Sequence, residues 1–196
     1  MELALSKPRM KAHWRLYGIK TPDWFTVRKF KDGSIEGLEL IESVRDFPYI
    51  VKPAQEGNSR GIDEGSIVST PLELYARASL IAEEYGEALV ERFVSGKEGS
   101  REFTVAMIGN GANAIIAPME ILKKGTLVVP ADEENHQTTV IVPVMDKRLK
   151  DSIIRLAHKV FMAVQARDYA RCDILLHEGQ FYAIEPLSKN SGFQGT

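Results

Sequence analysis

Two stretches of this 196-residue chain carry residue types whose spacing could do chemistry. In Tyr49-Ile-Val-Lys-Pro-Ala-Gln-Glu-Gly-Asn-Ser-Arg-Gly-Ile62 an apolar run ends on Lys52 and passes into a loop that holds Gly57, Asn58, Ser59 and Gly61. Glycine lets backbone approach a ligand closely, and successive N–H groups in such a loop can face phosphate oxygens. In Ala170-Arg-Cys-Asp-Ile-Leu-Leu176, with Glu185 close behind, acidic residues fall on what reads as a β-hairpin. A cation, a backbone cradle and metal-binding carboxylates are the parts needed to hold a nucleoside triphosphate with Mg²⁺. Neither standard fingerprint is present: no Gly-Lys-Ser/Thr follows the loop, and Gly-x-Gly-x-x-Gly is missing. The plainer alternative for Lys52 is a solvated strand end beside an ordinary hairpin loop.

Alternation along a strand puts Arg171 and Asp173 on one face and Cys172 on the other. Whether Glu185 joins them depends on register. A three-residue turn, Glu178-Gly-Gln180, sets Asp173 opposite Glu185, whereas a four-residue turn sends Glu185 to the far face. Like charges set opposite each other are destabilising, a penalty that a bound cation removes. The alternative is a solvent-facing hairpin with incidental charges. Glu91-Arg-Phe-Val94 ends another apolar run. It reads either as an edge or connector with solvated charges or as a hinge whose backbone pairs with a purine edge, with Phe93 and Val94 in apolar contact. Glu102, entering the strand Arg101-Glu-Phe-Thr-Val105, could accept from ribose hydroxyls. His13, His136, His158 and His177 have no ligand spacing and read as structural or surface residues, and Cys172 reads as core.

The elements that must position these residues follow from periodicity and capping. Residues 6–17 read as a helix with Ser6 as cap, Met10, Trp14 and Tyr17 on one face, and Gly18 as its stop. Thr70-Pro-Leu-Glu73 is a capping box with proline at the first helical position; Leu74, Ala78, Ile81 and Tyr85 continue the stripe to Gly86. Asp146 caps a third helix lined by Leu149, Ile153, Leu156, Val160 and Val164. Residues 26–28, 49–51, 89–94, 102–108, 114–121, 138–142, 169–176 and 181–185 read as strands. Strand runs with single helices between them predict an α+β layered fold in two small lobes, residues 1–86 and 87–196.

Composition is that of an ordinary globular protein, with 44% hydrophobic and 27% charged residues. A net charge of −2 favours neither nucleic acid nor a membrane surface as partner. One cysteine excludes an internal disulfide and a multi-cysteine zinc site. No apolar run approaches the about 20 residues of a membrane span, and no signal-peptide pattern follows the N-terminus. A cytoplasmic enzyme or binding protein is the expectation.

The order of these signals resembles the ATP-grasp superfamily, with wording similar to the D-alanine–D-alanine ligases. The matching pieces are Val51-Lys-Pro-Ala54 with Glu56-Gly-Asn-Ser-Arg-Gly-Ile62, Ser100-Arg-Glu-Phe-Thr-Val-Ala106, Ala170-Arg-Cys-Asp-Ile174, and the opening from Lys7 to Thr21-Pro22. The resemblance implies an ATP-grasp fold with the nucleotide between two α+β lobes. It implies ATP and Mg²⁺ as cofactors. It also implies a carboxylate–amine ligase that activates an amino acid carboxylate as an acyl phosphate for attack by an amine. A nucleotide-binding or regulatory module without turnover is the alternative. By the same resemblance, Lys52 contacts the phosphates, and Gly57, Ser59 and Gly61 cover them. Arg92, Phe93 and Val94 line adenine, Glu91 holds its exocyclic amine region, and Glu102 holds the ribose. Asp173 and Glu185 carry Mg²⁺, and Arg171 steadies the transferred phosphate.

The chain departs from the family at several points. The ligases end this motif as Glu-x-Asn, whereas Glu185 is followed by Pro186 and Leu187, so Asn190 becomes the candidate third metal ligand. The family's N-terminal domain, which contributes to the amino acid site, has no counterpart here; a further domain or partner chain is implied. The final helix is missing, and the ligases' mobile-loop lysine has only Lys123 and Lys124 as candidates.

Overall fold

A computed structural model describes residues 6–56, 60–95, 99–123 and 139–187. Gly57, Asn58, Ser59, Lys124, His136 and Asn190 lie outside the described residues, as does the side chain of Lys123. The described chain divides into two compact units, one holding residues 6–12, 22–56 and 60–95, the other residues 13–21, 99–123 and 139–187.

Helix α1 (Lys7–Leu16) starts in the first unit and ends in the second. Ser6 opens it by accepting the Met10 N–H on its carbonyl, and Gly18, at φ +64°, closes it. Met10 and Trp14 are buried as their spacing predicts, but Tyr17 lies beyond the last turn and is 55% exposed. The positions that complete the buried face are instead Lys7 and Lys11. Hydrophobic periodicity could not find them, because they are charged.

The first unit is a five-stranded antiparallel sheet of β1 (Trp24–Lys29), β2 (Ile35–Glu36), β3 (Tyr49–Pro53), β4 (Ile67–Val68) and β5 (Glu87–Arg92), in the order β2-β1-β5-β3-β4. Helix α2 (Pro71–Tyr85) covers one face. Val27, Val51 and Val90 from the sheet pack with Leu74, Ala78, Ile81 and Ala82 from α2. The capping box forms as the sequence predicts: Thr70 accepts from the Glu73 N–H, and the Glu73 carboxylate accepts from the Thr70 N–H. Strand β5 follows Gly86 directly and is the centre of this sheet, so the sheet extends past residue 86, where the sequence reading divided the chain.

The second unit repeats the arrangement with β6 (Arg101–Ile108), β7 (Ile115–Lys123), β8 (Thr139–Pro143), β9 (Tyr169–His177) and β10 (Gln180–Leu187), ordered β10-β9-β6-β7-β8 and wholly antiparallel. Helix α3 (Lys147–Ala163), capped by Asp146, packs on β7, β9 and β10. Phe103, Val105, Cys172, Ile174 and Ala183 are buried on one side of the sheet, with Ile153, Ala157 and Val160 of α3 buried as well. The intervening residues Glu102, Thr104, Ala106, Arg171 and Asp173 occupy the other side, as period-two alternation requires.

Because the Thr70 hydroxyl satisfies a helix donor that nothing else in α2 can reach, Thr70→Ala should cost about 1 kcal/mol. In a chain of this size that lowers the melting temperature by roughly 2–4 °C, which calorimetry would detect; Thr70→Ser should retain most of the stability.

Candidate functional site

In the first unit the structure joins Lys52 to Glu91. Ile50 is opposite Glu91 and Lys52 opposite Leu89, so Lys52 and Glu91 are diagonal neighbours on the sheet face away from α2. Lys52 Nζ donates to Glu91 Oε1 at 3.3 Å. Lys11 of α1 meets the other carboxylate oxygen, Oε2. All three side chains are buried, Lys11 completely. Burial alone would push the Glu91 carboxyl up, but the ammonium groups of Lys11 and Lys52 together hold it below the usual carboxylate range. The reading of Glu91-Arg-Phe-Val94 as a solvated edge is therefore overturned, because β5 is central and Glu91 is enclosed.

Lys7, one turn before Lys11, donates to the carbonyls of Pro53 and Glu56, tying the helix to the start of the glycine loop. Gly61 ends the described part of that loop at φ +74°. A Cβ there would lie 2.5 Å from Pro53 Cγ and 3.1 Å from Tyr85 Cζ, so packing as well as backbone conformation demands glycine.

Arg92 is not brought to Glu91. It pairs with Tyr49 in register and shares the α2 side of the sheet with Val90. Its N–H donates to the Asp23 carbonyl and that of Phe93 to the Pro48 carbonyl. Val94 is buried beyond the strand end and Phe93 is half-buried.

The second unit gathers the remaining candidates on one sheet face. Thr104 is opposite Asp173 across β6 and β9, and Glu185 is opposite Asp173 across β9 and β10. The turn that achieves this differs from both sequence alternatives. Only Glu178 and Gly179 form it, with His177 paired to Gln180. Both turn residues have positive φ, 49° and 73°, the combination that matches the right-handed twist of a two-residue hairpin. A two-residue turn alone would put Glu185 on the wrong face. A β-bulge between Ala183 and Glu185 adds one residue, Ile184, and restores the opposition.

Burial pushes the Asp173 carboxyl above its ordinary value. The Arg171 guanidinium and Thr104 hydroxyl pull it back, while Glu102 and Glu185 add to the rise. Arg171 Nε stands 3.8 Å from Asp173 Oδ1 and remains partly exposed. Two hard-oxygen carboxylates, one held toward its protonated form by burial and by neighbouring acids, suit a divalent cation of the Mg²⁺ type. Among the described residues no group of three or more His, Cys, Asp or Glu side chains is arranged to hold a metal. Asp173 and Glu185 are the two carboxylates that β9 and β10 set opposite each other.

The histidines do not form a site among the described residues. His13 Nε2 contacts the Ala163 carbonyl at 2.8 Å, a helix-closing role. Cys172 is enclosed in the core, and burial pushes its thiol up. No described helix is long and apolar enough to cross a membrane.

The raised Asp173 carboxyl has a consequence for stability. The folded chain holds that proton more tightly than the unfolded chain, so this residue's contribution falls as pH rises through its folded pKa and is unfavourable at neutral pH. Asp173→Asn should accordingly raise the melting temperature at pH 7 in metal-free buffer, with the gain shrinking as pH falls towards 4. A melting temperature lowered at pH 7 would contradict this account.

The chain is similar to known proteins over most of its length. A family model described as the D-Ala-D-Ala ligase C-terminus matches residues 13–193. A D-alanine–D-alanine ligase of Saccharophagus degradans is 30% identical over 187 residues, covering 93% of this chain and 54% of the relative. One from Paracidovorax citrulli is 28% identical, covering 89% of this chain and 49% of the relative. Among solved structures, the D-Ala:D-Ser ligase of Enterococcus faecalis superposes with a TM-score of 0.75 at 23% identity, over 94% of this chain and 52% of that one. The D-alanine–D-alanine ligase of Bacillus anthracis gives 0.71 at 22% identity, over 94% and 56%. These likenesses establish the ATP-grasp fold, and the chain spans about half the length of the curated relatives it matches. With 181 of its residues under the family model, the chain belongs to the D-alanine–D-alanine ligase C-terminal family.

Proposed function

We propose that this chain binds ATP with Mg²⁺ and forms the nucleotide-binding part of a carboxylate–amine ligase. The observation that carries the reading is the bulged hairpin that opposes Asp173 and Glu185 beside Arg171, in a chain of this family. Mg²⁺ would neutralise the two carboxylates and the phosphate charge gathered on them. Asp173 and Glu185 would hold it, with Asn190 as the third ligand. Arg171 would orient the transferred phosphate and hold its charge as it develops, which is positioning and charge neutralisation rather than covalent chemistry.

In the first unit, Lys52 would meet phosphate oxygens, with Gly57, Ser59 and Gly61 in the covering loop. Glu91 and Val94 would meet adenine and Glu102 the ribose. Since the N–H groups of Arg92 and Phe93 already serve the Asp23 and Pro48 carbonyls, backbone donation to a purine edge would start at Val94. Arg92 would support this segment from the α2 side and not by contact with Glu91. The substrates would be small carboxylates and amines, with amino acids as the first class to try. A further domain or partner chain would complete the amino acid site. The proposed setting is the cytoplasm.

Titration calorimetry of the chain with ATP should show binding that strengthens with Mg²⁺, and ADP release should follow when amino acid pairs are supplied with the completing domain. Failure to bind ATP at millimolar concentration would remove the reading. Binding without ADP release across a broad panel would assign a binding module instead. Lys52→Ala should weaken ATP binding by at least about tenfold, the equivalent of about 1.4 kcal/mol, and Asp173→Asn should remove the Mg²⁺-dependent part of the affinity. Unchanged ATP affinity in Lys52→Ala would withdraw the phosphate role of that residue.

A further inference from the structure

The ion cluster of the first unit contains a residue that nucleotide contact does not require. Lys11 sits on α1 with no accessible surface, although lysine is among the residues least often enclosed. Its ammonium meets Glu91 Oε2, and Lys52 takes the other oxygen, Oε1, at 3.3 Å. Each lysine thus lies against a different oxygen of one carboxylate. Lys7 is no substitute, since its ammonium is engaged by the carbonyls of Pro53 and Glu56.

A phosphate ligand would compete with Glu91 for Lys52. If Lys52 were the only cation on Glu91, turning it towards phosphate would leave a buried carboxylate without a counter-charge, which is among the costlier arrangements in a protein interior. We propose that Lys11 is a positioning residue that keeps Glu91 neutralised, so that Lys52 can turn its ammonium to a phosphate oxygen of the ligand. The proposal rests on the phosphate role of Lys52 given above, and deepens it. Lys11 acts through Glu91. Its role is to make the charge of Lys52 transferable.

Inorganic tripolyphosphate is the probe, because it carries the phosphate charge without adenine or ribose. Binding is measured by calorimetry on the full chain for the wild type, Lys11→Met, Glu91→Gln and the double variant, with circular dichroism and melting to check the fold. Lys11→Met should weaken tripolyphosphate binding by about tenfold or more, because Glu91 then retains Lys52. Glu91→Gln should strengthen it by about threefold or more, because nothing competes for Lys52. The double variant should return to within about threefold of wild type, a non-additivity that a merely structural lysine would not produce. Lys11→Met that binds like wild type, or a double variant as weak as Lys11→Met, overturns the proposal. If Lys11→Met does not fold, Glu91→Gln decides alone, and affinity unchanged or reduced there overturns it. A wild type that binds neither tripolyphosphate nor ATP overturns this proposal together with the nucleotide reading. The expected variant pattern with tripolyphosphate, but no ATP binding, supports the proposal and removes the nucleotide reading.

Discussion

Glu91 is almost wholly cut off from water, so its charge must be met by the protein. Two lysines meet it, one from helix α1 and one from strand β3, and that requirement ties three elements together at the centre of the first sheet. An ion pair enclosed in this way contributes little net stability compared with apolar packing, yet removal of one partner is strongly unfavourable. The cluster is therefore better understood as an arrangement of charge than as a source of folding energy. Helix α2 and its apolar partners on the opposite face supply the packing that lets the charged face exist.

The second unit solves a related problem differently. Here one sheet face is given to apolar residues and α3, and the other to Glu102, Thr104, Arg171, Asp173 and Glu185. Glu102 and Glu185 are set close enough to raise the proton affinity of Asp173, with one guanidinium in partial compensation. The first unit has buried its carboxylate with cations already present. The second keeps Asp173 only partly buried, with Glu102 and Glu185 beside it and the partly exposed guanidinium of Arg171 as its neighbour.

Much of this was legible in the residues. The capping box at Thr70 and Glu73, the Asp146 cap and the alternation along residues 102–108 and 169–176 each depend on local chemistry, and each stands in the structure as read. What escaped depends on contacts distant in sequence. Lys7 and Lys11 break the apolar stripe of α1, and their burial goes with Glu91, eighty residues beyond Lys11, and with the carbonyls of Pro53 and Glu56. Position 87 as the start of a central strand was hidden because pairing partners, not strand propensity, decide sheet order. The face on which Arg92 lies was missed for the same reason: the motif groups it with Glu91, whereas the pleat separates them. Both hairpin turns offered by the sequence, of three and of four residues, were longer than the two-residue turn that forms, because a bulge has no composition signal of its own.

That bulge bears on how such a hairpin can change over time. Asp173 and Glu185 are opposed by the sum of a two-residue turn and one extra residue at Ile184. A longer turn without a bulge would give the same opposition. Lineages could therefore exchange one solution for the other through paired insertions and deletions, while a single insertion or deletion between the two acids would move one of them to the apolar side. The interval between the acids, and neither the turn nor the bulge separately, is the inherited quantity.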